Sequence, residues 1–151
     1  MTTRRGAAGA FAALGAGLVL LAGCRGESGV KTYPVTGKVI VKNGDVARLA
    51  GGFVRLESVA DPNVKAVGEI QEDGSFGLGS FVQDRPLTGV PEGEYRARVE
   101  PRPQDEADEG SPAVVRKGDL LPKYRDFGTS GLKYTIAPGE NTITVEVEVR
   151  R

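Results

Sequence analysis

From Tyr33 onward the chain alternates hydrophobic and polar positions with a period of two. In "PVTGKVIVK", Val35, Gly37, Val39 and Val41 share one face, and Thr36, Lys38 and Lys42 the other, with Ile40 the exception. Successive side chains of a strand point to opposite faces, so this pattern predicts a half-buried strand. Asn43-Gly44 follows, a tight-turn signal because both residues tolerate positive φ. Gly51-Gly52 then predicts a bulge or a close backbone approach. "GGFVRLESV" resumes the alternation, with Val54 and Leu56 inward and Arg55 and Glu57 outward.

"KAVGEI" reads as a weaker strand. Glu72-Asp73-Gly74 predicts a hairpin turn, after which Phe76 and Leu78 point inward. A Pro-Glu-Gly turn at 91–93 precedes a strand with Tyr95, Ala97 and Val99 inside and Arg96 and Arg98 outside. A last hairpin is predicted around Pro138-Gly139-Glu140-Asn141. Its arms bury Leu132, Tyr134 and Ile136, then Ile143, Val145, Val147 and Val149, while Glu146 and Glu148 face water. About seven short strands separated by turn signals predict an all-β fold, a single antiparallel β-sandwich. "KGDLLPKYRDFGTSG" is the least regular stretch; it predicts one helical turn, with Leu120, Leu121 and Tyr124 plugging an end of the sandwich. "RPQDEADEGSP" (102–112) is polar, acidic and proline-bearing, which predicts an exposed, mobile loop.

The amino-terminal segment has a different pattern. Arg4 and Arg5 precede an apolar run over 7–21 and then small residues, the three-part layout of a secretory signal peptide. The run is too rich in glycine for a spanning helix, which needs about 20 strongly apolar residues. Leu21-Ala22-Gly23-Cys24 resembles the lipobox of bacterial lipoproteins. The resemblance implies diacylglyceryl attachment to the Cys24 thiol and cleavage before it. Residues 1–23 are then the signal peptide, 24–32 a lipidated tether and 33–151 the folded domain. The mature chain loses Arg4 and Arg5 and no acid, leaving a formal charge of −2. Arg25 stands where some lipoproteins carry an inner-membrane retention aspartate, which leans toward the outer membrane. Gly6-Ala7-Ala8 replaces the apolar residues usual after a twin-arginine pair.

Composition narrows the chemistry. The chain has 20 Lys+Arg and 20 Asp+Glu, no His and 1 Cys. That balance speaks against nucleic acid as a partner. A single Cys excludes an internal disulfide and a Cys-rich zinc site. Without histidine, Ser111, Thr129 and Ser130 have no partner for a Ser-His-Asp nucleophile. No two acids are placed at a fixed separation across a cleft, so a glycosidase pair is not expected. Asp73-Gly74 reads as a turn rather than a calcium loop, which needs six to eight oxygens. Asp105, Glu106, Asp108 and Glu109 read as a solvated loop. Arg55, Arg96 and Arg98 could form a basic stripe for an anionic polymer, but cross-strand pairing with Glu57, Glu146 or Glu148 is the expectation. Lys123, Tyr124, Arg125, Asp126 and Phe127 gather in the irregular stretch. Lys123, Tyr124, Arg125 and Phe127 are the candidate binding loop, with Tyr124 and Phe127 read first as core plugs. No catalytic residue, metal ligand or cofactor is expected.

The ordered set "PVTGKV", "EDGSF", "PEGEYRARV", "LPKYRDFGTSGL" and "APGEN" spans roughly residues 33–149. It resembles the carboxypeptidase regulatory-like domains of small bacterial lipoproteins, which have a transthyretin-like (prealbumin-like) sandwich of Greek-key type. "DVARLAGGF" departs from the family's shorter Pro-Leu-Ala-Gly-Ala run. In the enzymes that give the family its name this sandwich is an accessory domain beside a catalytic one, and no catalytic domain is expected here. Transthyretin-like hydrolases use histidines and a distinctive carboxyl-terminal tetrapeptide, whereas this chain ends "VEVRR". The expected function is a non-catalytic, lipid-anchored interaction or structural module of the bacterial cell envelope, with a membrane and an envelope protein or glycan as partners. The alternative is a periplasmic or surface small-ligand or glycan receptor using the 118–131 loop.

Overall fold

The structure is a computed structural model that describes residues 29–102 and 120–150. Leu21, Ala22, Gly23, Cys24 and the acidic stretch 103–112 lie outside the described residues.

The described residues form nine strands: β1 (Val35–Val41), β2 (Phe53–Ser58), β3 (Val64–Glu69), β4 (Ser75–Gly77), β5 (Gly79–Val82), β6 (Arg85–Thr88), β7 (Gly93–Glu100), β8 (Lys133–Ile136) and β9 (Asn141–Val147). They build a three-stranded sheet, β4-β1-β9, and a six-stranded sheet, β6-β5-β3-β2-β7-β8. The apolar faces meet in one core that includes Val35, Val39, Leu56, Phe76, Tyr95, Val99 and Val145. Burying each large aliphatic side chain contributes about 1.5–3 kcal/mol relative to exposure. Ile40 is 44 % exposed, as its out-of-phase position predicts.

Three features correct the sequence reading. First, the described residues form nine strands rather than about seven, and the sandwich is not wholly antiparallel. β1 and β9 pair in parallel from Val35↔Asn141 through Val41↔Val147. Second, "SFGLGSF" is two strands: β4 joins β1, and after Leu78 the chain crosses to β5 beside β3. β6 has no counterpart in the alternation. Third, both predicted hairpins are corners between sheets. The turn at 71–75 leaves β3 of the large sheet and enters β4 of the small one. The turn at 137–141 leaves β8 of the large sheet and enters β9 of the small one. Turn residues specify a reversal of the chain, whereas the edge each arm then joins is set by the facing core residues.

The corners are held by their own side chains. Asp73 Oδ1 accepts from the Ser75 amide (2.9 Å) and hydroxyl (2.6 Å), bonds that lower its carboxyl pKa below the ordinary aspartate value. Asn141 accepts from the Ala137 amide and donates to the carbonyls of Ala137 and Gly139. Asn43-Gly44 also turns the chain, but neither residue takes positive φ. The segment runs instead into a 3-10 turn, Val46–Leu49, capped by Asp45 Oδ1 on the Ala47 amide (2.9 Å). A β-carbon on Gly52 would sit 2.7 Å from the Glu100 carbonyl oxygen, the close approach that its sequence predicts.

The end plug is present. Pro122–Arg125 form a 3-10 turn, Leu120 bridges Val149, and Leu120 and Tyr124 are buried. Tyr95 is buried with its hydroxyl donating to the Pro91 carbonyl (2.9 Å), and burial pushes its pKa up to about 12.

Candidate functional site

The outward side chains of the large sheet are set by register. One row runs Phe81–Lys65–Glu57–Arg96–Lys133, and the next runs Gly79–Val67–Arg55–Arg98. Opposite charges along a row pair across strands. Arg96 Nη2 lies 3.1 Å from Glu57 Oε1. Arg55 and Arg98, directly opposite each other, both reach Glu100 Oε2, Arg55 through Nε at 2.5 Å and Arg98 through Nη2 at 3.6 Å. Arg55 and Arg98 thus depart from the expected pairing. Glu146 and Glu148 belong to the other side of the molecule, where they meet Lys42 (3.0 Å) and Lys123 (3.8 Å). The Glu146 contact raises the Lys42 pKa. Half-exposed pairs of this kind are largely screened by solvent and contribute little.

Beside these rows lies a groove of about 290 Å³, walled by Arg55, Lys65, Phe81, Asp84, Arg98 and Phe127. Phe81 is 42 % exposed on β5. The Phe127 ring centroid lies 5.0 Å from the Arg98 guanidinium carbon. Arg98 Nε is buried with no hydrogen-bond partner, as is Arg96 Nε. At the groove rim the β5–β6 turn places Gln83 (φ 49°) and Asp84 (φ 62°) consecutively in the left-handed region, as a type I′ hairpin turn demands.

The four residues of the predicted binding loop do not converge. Tyr124 is 7 % exposed and belongs to the core. Lys123 Nζ lies 4.7 Å from the Tyr124 ring centroid and reaches Glu148. Arg125 is half-buried. Phe127 leaves the loop to lie on Arg98 and is not a core plug, a correction to its first reading. The loop is pinned at three places: Asp126 Oδ1 accepts from Gly128 N, Thr129 Oγ1 donates to the Lys123 carbonyl, and Ser130 Oγ donates to the buried Ala97 carbonyl. Sequence reasoning missed Lys65, Phe81 and Asp84. The available signal was Phe81 standing out of phase with the neighbouring inward positions, which becomes legible only once β4 and β5 are separated.

Among the described residues no group of three or more His, Cys, Asp or Glu side chains could hold a metal ion. The Asp73 carboxylate is committed to its own turn. No described helix is long and apolar enough to cross a membrane.

No family model matches the chain, and no curated protein matches it. Among solved structures, the chain is similar to a DUF3823 family protein from Parabacteroides merdae, at 15 % identity and a TM-score of 0.41, covering 78 % of this chain and 46 % of that one. It is also similar to a pilus-presented adhesin, at 17 % identity and a TM-score of 0.31, covering 78 % of this chain and 27 % of the adhesin. The chain thus spans less than half the length of either, and both are β-rich bacterial proteins.

Proposed function

We propose that the protein is a lipid-anchored, non-catalytic β-sandwich of the bacterial cell envelope that serves as an interaction or structural module. The observation that carries this reading is Leu21-Ala22-Gly23-Cys24 at the end of a signal-like segment. A thiol bearing a diacylglyceryl group, with a further acyl chain on the new amine, anchors stably, since each buried methylene contributes about 0.8 kcal/mol. Arg25 favours the outer membrane. The domain is read as carboxypeptidase regulatory-like and transthyretin-like; the order of its motifs and its two-sheet architecture support that reading. Intact mass and membrane partition of the natively expressed protein, beside Cys24→Ala, test it. A mass of residues 24–151 plus acyl chains, lost in the variant, is the expected result. A soluble, unmodified product cut elsewhere refutes the anchor.

A second reading is a small-ligand or glycan receptor. The groove formed by Arg55, Arg98, Phe81 and Phe127 favours it. It moves the ligand from the 118–131 loop as a whole to the sheet face that Phe127 alone reaches.

A further inference from the structure

We infer that the groove on the outer face of the large sheet binds an acidic glycan, one whose sugar rings carry carboxylates. The inference rests on the receptor reading and names its ligand class.

Two like charges directly opposite on neighbouring strands repel unless an anion stands between them. Arg55 and Arg98 are such a pair, and a single oxygen, Glu100 Oε2, serves both. A guanidinium offers five N–H donors, so among the described residues one shared oxygen leaves donors of Arg55 and Arg98 over. Lys65 also lines the groove, while the Glu57 carboxylate opposite it is taken by Arg96. Among the described residues, Arg55 and Arg98 share Glu100, and Asp84 is the one acid in the groove wall. The groove wall itself thus carries Arg55, Lys65 and Arg98 against the single acid Asp84, an excess of positive charge that a ligand carboxylate would offset.

The remaining walls fit a sugar. Phe81 offers an exposed ring against which the apolar face of a pyranose can lie. Asp84 is an acceptor for a hydroxyl. The consecutive left-handed Gln83 and Asp84 fix the hairpin tip that carries it. A peptide fits less well. β2, β3 and β5 are each paired on both sides, so their backbone groups are unavailable for strand addition. Recognition across these three strands must come from side chains. A carboxylate fixed rigidly to a ring then loses less freedom on binding than one on a flexible side chain.

The test is calorimetric titration of the mature full-length protein in detergent micelles with tetragalacturonate, its methyl ester and tetraglutamate. The expected result is binding of tetragalacturonate, weaker by at least about tenfold for the methyl ester and for tetraglutamate. Arg98→Gln and Phe81→Ala should each weaken it by a similar factor. Phe81 is exposed, so Phe81→Ala should keep the circular dichroism spectrum and melting temperature, which separates lost binding from lost fold. Absent binding of tetragalacturonate overturns the inference, as does equal binding of tetraglutamate or an unchanged affinity in both variants. Failure of the receptor reading is separate: equal binding of tetraglutamate removes the glycan and leaves a receptor, whereas no binding of any of the three probes removes both.

Discussion

Gly37→Ala should destabilise the domain, and its cost can be worked from what surrounds that glycine. Gly37 faces the core from β1, opposite Phe76 of β4 and Ile143 of β9. A β-carbon there would collide with the Phe76 ring and lie 2.6 Å from the Ile143 carbonyl oxygen. Replacing Gly by Ala in a strand ordinarily stabilises by about 0.5–1 kcal/mol, because the unfolded chain has less freedom to lose. Overpacking a dense core costs about 1–3 kcal/mol. The ring can shift, but the carbonyl belongs to backbone bonded in the parallel β1–β9 ladder. The cost should therefore prevail, by about 1–2 kcal/mol, with a fall in melting temperature of several degrees. Gly77 supplies the internal control. It pairs with Thr36 on the same two strands, and a β-carbon on it would meet nothing within 4 Å. Gly77→Ala should be neutral or slightly stabilising. Urea unfolding followed by circular dichroism measures both. Phe76→Leu combined with Gly37→Ala should recover part of the loss but not all of it, because the carbonyl contact remains. Equal effects of the two alanines, or full recovery in the double variant, would refute the placement of Gly37 against β9.

Tyr124→Ala should cost about 3 kcal/mol or more, as for other large buried aromatics, so it reports on folding and not on a ligand; an unchanged urea midpoint would remove Tyr124 from the core. Gln83→Asn with Asp84→Gly should stabilise by about 1 kcal/mol, since both replacements suit a type I′ turn better; a lower midpoint would contradict that turn. Burial raises the pKa values of Tyr95 and Tyr134 from 10.0 to about 12. Their neutral forms are thus favoured in the folded state, and the stability this confers is complete below pH 10 and lost as pH rises from 10 to about 12. Urea midpoints at about pH 9 and about pH 11.5 should differ in that direction, and a flat profile would place both hydroxyls in water.

Much of the fold was legible because alternation states directly which side of a strand is buried. Val54 and Leu56 against Arg55 and Glu57, and Tyr95, Ala97 and Val99 against Arg96 and Arg98, fall on the faces their phases predict. The turns at 71–75 and 137–141 were legible as turns. Alternation is silent on sheet membership, however. A strand bound for either sheet has the same period, and Phe76 and Ser80 are both inward although they face the core from opposite sheets. The parallel pairing of β1 with β9 was equally hidden, since it joins the two ends of the described domain.

The same limit explains why the groove had no sequence signature. Its side chains come from β2, β3, β5, β7, the β5–β6 turn and the loop before β8. Phe127 and Arg98 were each conspicuous, but as a core plug and as half of an ion pair. Their meeting depends on β7 lying between β2 and β8, which puts the chain leaving the 3-10 turn over the open face of the large sheet. Arg55 becomes the neighbour of Arg98 through the β2–β7 register, so that Glu100, at the end of β7, serves two guanidiniums in place of one. A register shifted by one residue would turn Arg98 into the core and dissolve the cluster. The groove is therefore a property of the strand order.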